Sequence, residues 1–89
     1  MAKMVITHSV VDVDSWLQFK TERAQFIGVM GGTDVVDHVA QDGSNTVAVA
    51  AEVDDVEAVL AGLASPSAEL ADGMQRHGVL PPVVIYIEK

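Results

Sequence analysis

Three histidines are the side chains of this sequence that titrate near neutrality, and any acid–base chemistry starts with them. His8 lies among β-branched neighbours, on the same alternation as Ile6 and Val10. An imidazole there serves as a base or as a donor to a bound carbonyl; the plainer role is a half-buried group bonded to a neighbouring element. His77 stands just before Gly78, at the expected end of a helix. It either faces a pocket, as an acid–base group or a haem-iron ligand, or simply complements the helix dipole. His38 adjoins Asp37 in a predicted strand, where neighbouring side chains point to opposite faces, so a surface role is expected. No HxxxH or HExxH spacing occurs, and there are no cysteines. Metal sites, thiol nucleophiles and disulfides are therefore not expected.

Trp16 is the single tryptophan, and with Phe19, Phe26 and Met74 it supplies most of the large side-chain volume. These residues form either the wall of a site that stacks a flat ligand or an ordinary helix-to-sheet core. Ala48, Ala50 and Ala51 are expected opposite them and leave room. Arg23, one turn after Phe19, either clamps an anionic ligand or pairs with a nearby carboxylate. The catalytic candidates are thus His8 and His77, and the ligand-binding candidates Trp16, Phe19, Arg23, Phe26 and Met74, with no metal or cofactor expected. Asp12, Asp14, Asp54, Asp55 and Glu57 cluster at predicted helix starts, where capping accounts for them. Gly31-Gly32 follows a helix and lacks the spacing of a phosphate-binding loop.

The elements that must position these side chains follow from the pattern. Lys3–Val11 reads as a strand, and Ser15–Ile27 as a helix capped by Asp14 and ended by Gly28, Gly31 and Gly32. Strands at Thr33–Gln41 and Thr46–Val53 flank Asp42-Gly43-Ser44-Asn45, a strong hairpin signal. Val56, Val59, Leu60 and Leu63 mark one face of a helix that Ser65-Pro66 ends. A short helix at Ser67–His77 carries Leu70, Met74 and His77 on one side, and Pro81-Pro82 leads into a last strand at Val83–Glu88. Two β-α-β halves joined by a hairpin predict one domain over residues 1–89. Its fold class is α+β, a ferredoxin-like βαββαβ sandwich with helices on one face of a four-stranded antiparallel sheet.

Composition narrows the function classes. Of 89 residues, 49% are hydrophobic but only 4% aromatic, so the apolar mass is mainly valine and alanine. The net charge of −8 repels nucleic acid and anionic lipid. No apolar run is long enough to span a membrane, and the first residues lack a signal peptide's apolar core, so a cytoplasmic protein is expected. The strands are apolar on both faces, as in Val83-Val84-Ile85-Tyr86-Ile87 and Val47-Ala48-Val49-Ala50-Ala51, whereas the helices suffice for one face. Covering the other would contribute on the order of 10 kcal/mol before association costs. A homodimer with two sheets face to face is the expected solution.

The layout resembles the dimeric α/β-barrel superfamily, which includes antibiotic-biosynthesis-monooxygenase-like and stress-responsive barrel proteins. The resemblance spans nearly the whole chain. It rests on His8-x-Val10-x-Asp12-x-Asp14-x-Trp16, on Glu52-Val53-Asp54-Asp55, and on Ser65-Pro66 with Leu70, Met74 and Gly78-Val79. It implies a dimeric barrel with a pocket between the sheet and helices of each subunit. Enzymes of the superfamily carry out cofactor-independent oxygenation of polyketide quinones or oxidative haem breakdown; other members are described only as small-molecule-binding or uncharacterised. This chain has no asparagine in its first strand and no tryptophan in its second long helix. Three expectations follow: a cofactor-independent monooxygenase or cyclase-like enzyme acting on a small apolar or aromatic molecule, a non-enzymatic binding or assembly module, and a haem-binding protein.

Overall fold

A computed structural model describes residues 2–89. Its elements are β1 (Ala2–Val10), α1 (Val13–Leu17), α2 (Lys20–Val29), β2 (Gly32–Val39), β3 (Thr46–Val53), α3 (Val56–Ala64), α4 (Ala68–Arg76) and β4 (Val79–Ile87). The strands form one antiparallel sheet in the order β2-β3-β1-β4, with β1 paired to both β3 and β4. This is the ferredoxin-like α+β architecture expected from the pattern. In the hairpin between β2 and β3, Gly43 takes a positive φ of 78° and the Asp42 carboxylate accepts from the Ser44 amide at 2.9 Å.

Three local features differ from the sequence reading. The first helix is two helices, and its cap is Asp12, whose carboxylate accepts from the Ser15 amide at 2.9 Å; Asp14 lies inside the first turn. Between α1 and α2 the amides of Gln18 and Phe19 bond to carbonyls three residues back, at 3.1 Å each, which tightens the chain. The break lets the Trp16 carbonyl also accept from Arg23 Nη2 at 3.0 Å. Secondly, β4 begins at Val79, four residues early, and takes Pro81-Pro82 into the strand. It is an edge strand, where missing N–H groups are tolerated. Its register against β1 jumps between Thr7–Val84 and Ser9–Leu80, so the irregularity lies opposite His8. Thirdly, Ala48 and Ala50 sit on the face away from the helices, because alternation gives the inner positions to Val47, Val49, Ala51 and Val53. Ala51 alone of the three alanines joins the core.

The core lies between the sheet and the helices. Val10, Trp16, Ile27, Val47, Val49 and Ala51 form one cluster, and Met4, Val53 and Val59 a second, against which Leu60, Leu63 and Ile85 pack. Gly32 is fixed by close approach, since a Cβ there would lie 2.4 Å from Ile27 Cγ2. On the opposite face the sheet presents Val5, Thr7, Ala48 and Ala50, with Val36, Val84 and Tyr86 exposed at 52%, 43% and 59%. The residues expected to need a cover are therefore open to solvent in the single chain. No described helix is long and apolar enough to cross a membrane.

Candidate functional site

Side chains from the inner face of the sheet and from every helix line an apolar cavity of about 70 Å³ that is partly open to solvent. His8, Trp16, Arg23, Phe26, Met74 and His77 all line it, together with hydrocarbon from Ile6, Ile27 and Leu70. Phe19 does not. Its ring stacks on His77 instead, with centroids 4.5 Å apart and planes 21° from parallel. This volume admits a few water-sized groups and falls well short of the several hundred Å³ typical of drug-sized ligands. Met74 and Val83, however, also line two surface grooves of about 420 and 350 Å³. A flexible methionine thus forms part of the partition between the interior and the surface.

The two buried histidines are bonded differently. His8 is 8% exposed, and its Nδ1 lies 3.0 Å from the Ser9 carbonyl. A carbonyl can only accept, so Nδ1 carries the proton in the neutral ring and Nε2 keeps its lone pair. Nε2 has no partner among the described residues. Burial is the main influence holding the His8 pKa below the usual histidine value; the hydrogen bond to Ser9 opposes it, and the charge of Arg23 adds to it. The ring is therefore neutral at pH 7, with one basic nitrogen available.

His77 has neither nitrogen free. Its Nδ1 accepts from Arg23 Nη1 at 3.4 Å, because a guanidinium only donates, which leaves Nε2–H to donate to Glu22 Oε1 at 2.9 Å. Glu22 also meets Arg76 at 2.7 Å. The bond from His77, followed by the contact with Arg76, lowers the Glu22 pKa. A haem-iron ligand needs a free imidazole nitrogen, which His77 lacks, and a porphyrin needs far more than 70 Å³, so His77 and this cavity do not fit haem. Among the described residues no group of three or more His, Cys, Asp or Glu side chains is placed to hold a metal ion.

Arg23 is the organising cation. Its Nε donates to Asp37 Oδ1 at 3.1 Å and its Nη2 to Asp37 Oδ2 at 2.7 Å, a two-pronged pair with side chains only 8% and 5% exposed. Its Cζ lies 3.8 Å from the Trp16 ring centroid. With its bonds to the Trp16 carbonyl and His77, the guanidinium ties α1, α2, β2 and the end of α4 together. Sequence reasoning allowed Arg23 a carboxylate partner but missed Asp37 and Glu22 in these roles. The available signal was strand alternation: a surface-facing His38 requires Asp37 to point inward.

No protein-family model matches the chain, and no curated protein matches it. Solved structures do. An antibiotic biosynthesis monooxygenase superposes with a TM-score of 0.66 at 12% identity, covering 100% of this chain and 97% of the other. A mutant of SnoaB, a cofactor-independent oxygenase from Streptomyces nogalater, gives 0.64 at 16%, over 96% and 89% of the two chains. A dimeric ferredoxin-like protein from an uncultured marine organism gives 0.61 at 7%, over 100% and 93%. At these identities the likeness establishes the fold, the ferredoxin-like fold of antibiotic biosynthesis monooxygenase-like structures.

Proposed function

We propose that the chain is a small oxygenase-like protein that takes an apolar or aromatic molecule between sheet and helices and uses His8 as its base, without a cofactor. The observation that carries this reading is the neutral, buried His8 with a free Nε2 on the wall of an apolar cavity. A depressed pKa makes His8 a weak base, so the substrate must bear an already acidic proton, such as a methylene flanked by aromatic or carbonyl groups. Transfer of that proton to Nε2 leaves a carbanion. Electron transfer to dioxygen and C–O bond formation give a peroxide, which accepts the proton back from His8. Loss of the second C–H proton with hydroxide breaks the O–O bond, so that CH₂ and O₂ become C=O and water. The fold shared with SnoaB supports this class of reaction.

In this reading Arg23, Asp37 and His77 position the walls, and Trp16, Phe26 and Met74 contact the substrate. A ring system larger than the cavity enters by displacing Met74 into its neighbouring groove. The open face of the sheet takes a second copy of the chain, making a homodimer with one site per subunit. Exposed Val36, Val84 and Tyr86 support that occupant, and the Lys3–Glu52 ion pair at 3.4 Å offsets the Glu52 charge at the edge of the face. We place the protein in the cytoplasm, and its net charge of −8 disfavours nucleic acid and anionic membrane surfaces. The test is oxygen uptake by metal-free protein supplied with an anthrone. His8→Ala lowers the rate by about 100-fold or more if His8 is the base; an unchanged rate removes His8 from the mechanism. A second reading, a packing module with a filled core, draws on the small interior volume. It predicts that no apolar molecule is taken up at all.

A further inference from the structure

We infer that the chemical group recognised in the cavity is a neutral hydroxyl, phenolic or enolic, that accepts from Trp16 Nε1 and donates to His8 Nε2. The inference rests on the cavity being a ligand site and adds the functional group that the ligand carries. Trp16 is fully buried, and its indole N–H is a buried side-chain donor without a partner. Native proteins seldom leave such a group unsatisfied, so the N–H calls for an acceptor that the chain itself does not supply. His8 Nε2 calls for a donor. Both rings line the same cavity, edge to face at 80° with centroids 6.3 Å apart.

One hydroxyl oxygen meets both demands, since it accepts through a lone pair and donates through its hydrogen. A carbonyl or ether satisfies only the indole, and an ammonium only the imidazole. A carboxylate has no cation to meet, because Arg23 is already neutralised by Asp37. The remaining wall, including Ile6, Ile27 and Met74, is hydrocarbon and suits the rest of an aromatic ring.

The experiment compares phenol, anisole and toluene on the wild-type protein, following the indole N–H resonance of the single tryptophan. Phenol is expected to bind about tenfold or more tightly than either analogue and to shift the indole resonance, since toluene leaves the buried indole N–H unpaired and anisole offers His8 Nε2 no donor. His8→Phe is expected to erase the difference between phenol and anisole while toluene still binds; the wild-type series stands alone if that variant fails to fold. Equal binding of all three, or tighter phenol binding with an unmoved indole signal, overturns the hydroxyl assignment and leaves the apolar cavity standing. Equal affinities are also what a trapped water bridging the two rings produces. If none of the three binds, the ligand-site reading falls with it.

Discussion

Replacing Asp37 by alanine removes two carboxylate acceptors from a guanidinium that is almost wholly shielded from water. Arg23 and Asp37 are joined by bonds of 2.7 and 3.1 Å, with side chains 8% and 5% exposed, and Trp16 covers the guanidinium at 3.8 Å. The cation stays buried, keeping only the Trp16 carbonyl and His77. Breaking a pair of this kind by deleting one partner costs about 3–5 kcal/mol. A chain of 89 residues has roughly 4–13 kcal/mol in total, so much of the stability goes. The melting temperature drops by about 16–27 °C. Urea unfolding followed by circular dichroism, at fixed protein concentration, reads the loss. Arg23→Met combined with Asp37→Leu removes both charges and costs less than Asp37→Ala alone, because apolar replacement of a buried pair is close to neutral. A loss below about 1 kcal/mol for Asp37→Ala, in the range of surface pairs, refutes the claim that this pair organises the site.

Because the folded-state pKa of His8 lies below its ordinary value of 6.5, the unfolded chain binds that proton more tightly. Its contribution to stability is intact above about pH 6.5 and is lost as the pH falls through the depressed folded value. Urea midpoints across this window should flatten in His8→Phe; an unaltered slope assigns the dependence elsewhere. Glu22, also depressed, loses its contribution as the pH falls below its ordinary value of 4.5. Gly73→Ala places a Cβ 2.4 Å from Phe26 Cε2 and 2.7 Å from Cζ, so the ring must shift. The expected cost is about 1–3 kcal/mol despite alanine's better helix propensity, and a stabilised variant in thermal melts contradicts it. Tyr86→Asp, on the open sheet face, should halve the sedimenting mass from a dimer to the 9.4 kDa chain without unfolding it. A wild-type protein that already sediments as one chain at micromolar concentration refutes the dimer.

The order of elements was legible because apolar spacing decides it: Val56, Val59, Leu60 and Leu63 mark α3, and Asp42-Gly43 marks the hairpin. The break at Gln18-Phe19 was not, for neither proline nor glycine signals it; a tertiary bond from Arg23 to the Trp16 carbonyl favours the turn. Asp12 and Asp14 are chemically alike, and only the geometry at Ser15 selects the former as cap. Pro81-Pro82 suggested a strand start, whereas an edge position accommodates both prolines within β4. In the site, periodicity turns His8, Trp16, Phe26, Met74 and His77 toward the cavity, but it also placed Phe19 there, whose ring stacks on His77 instead. The pairing of Arg23 with Asp37 joins residues 14 apart in sequence, from α2 to β2; strand alternation turns Asp37 inward, but no local pattern names its partner. Nor does sequence reveal a tautomer: His8 and His77 are equal candidates until Ser9, Arg23 and Glu22 fix which nitrogens are engaged.

The most direct test of an accessible interior is diffraction from a crystal held under xenon pressure. An apolar void of about 70 Å³ beside Trp16 and Met74 should take up one xenon atom per chain, as dry cavities in other proteins do. Xenon density at that point supports a space that a ligand can occupy. A crystal that admits xenon at its surface and shows none between sheet and helices contradicts it, and the chain is then a packed module with no site for His8 to serve.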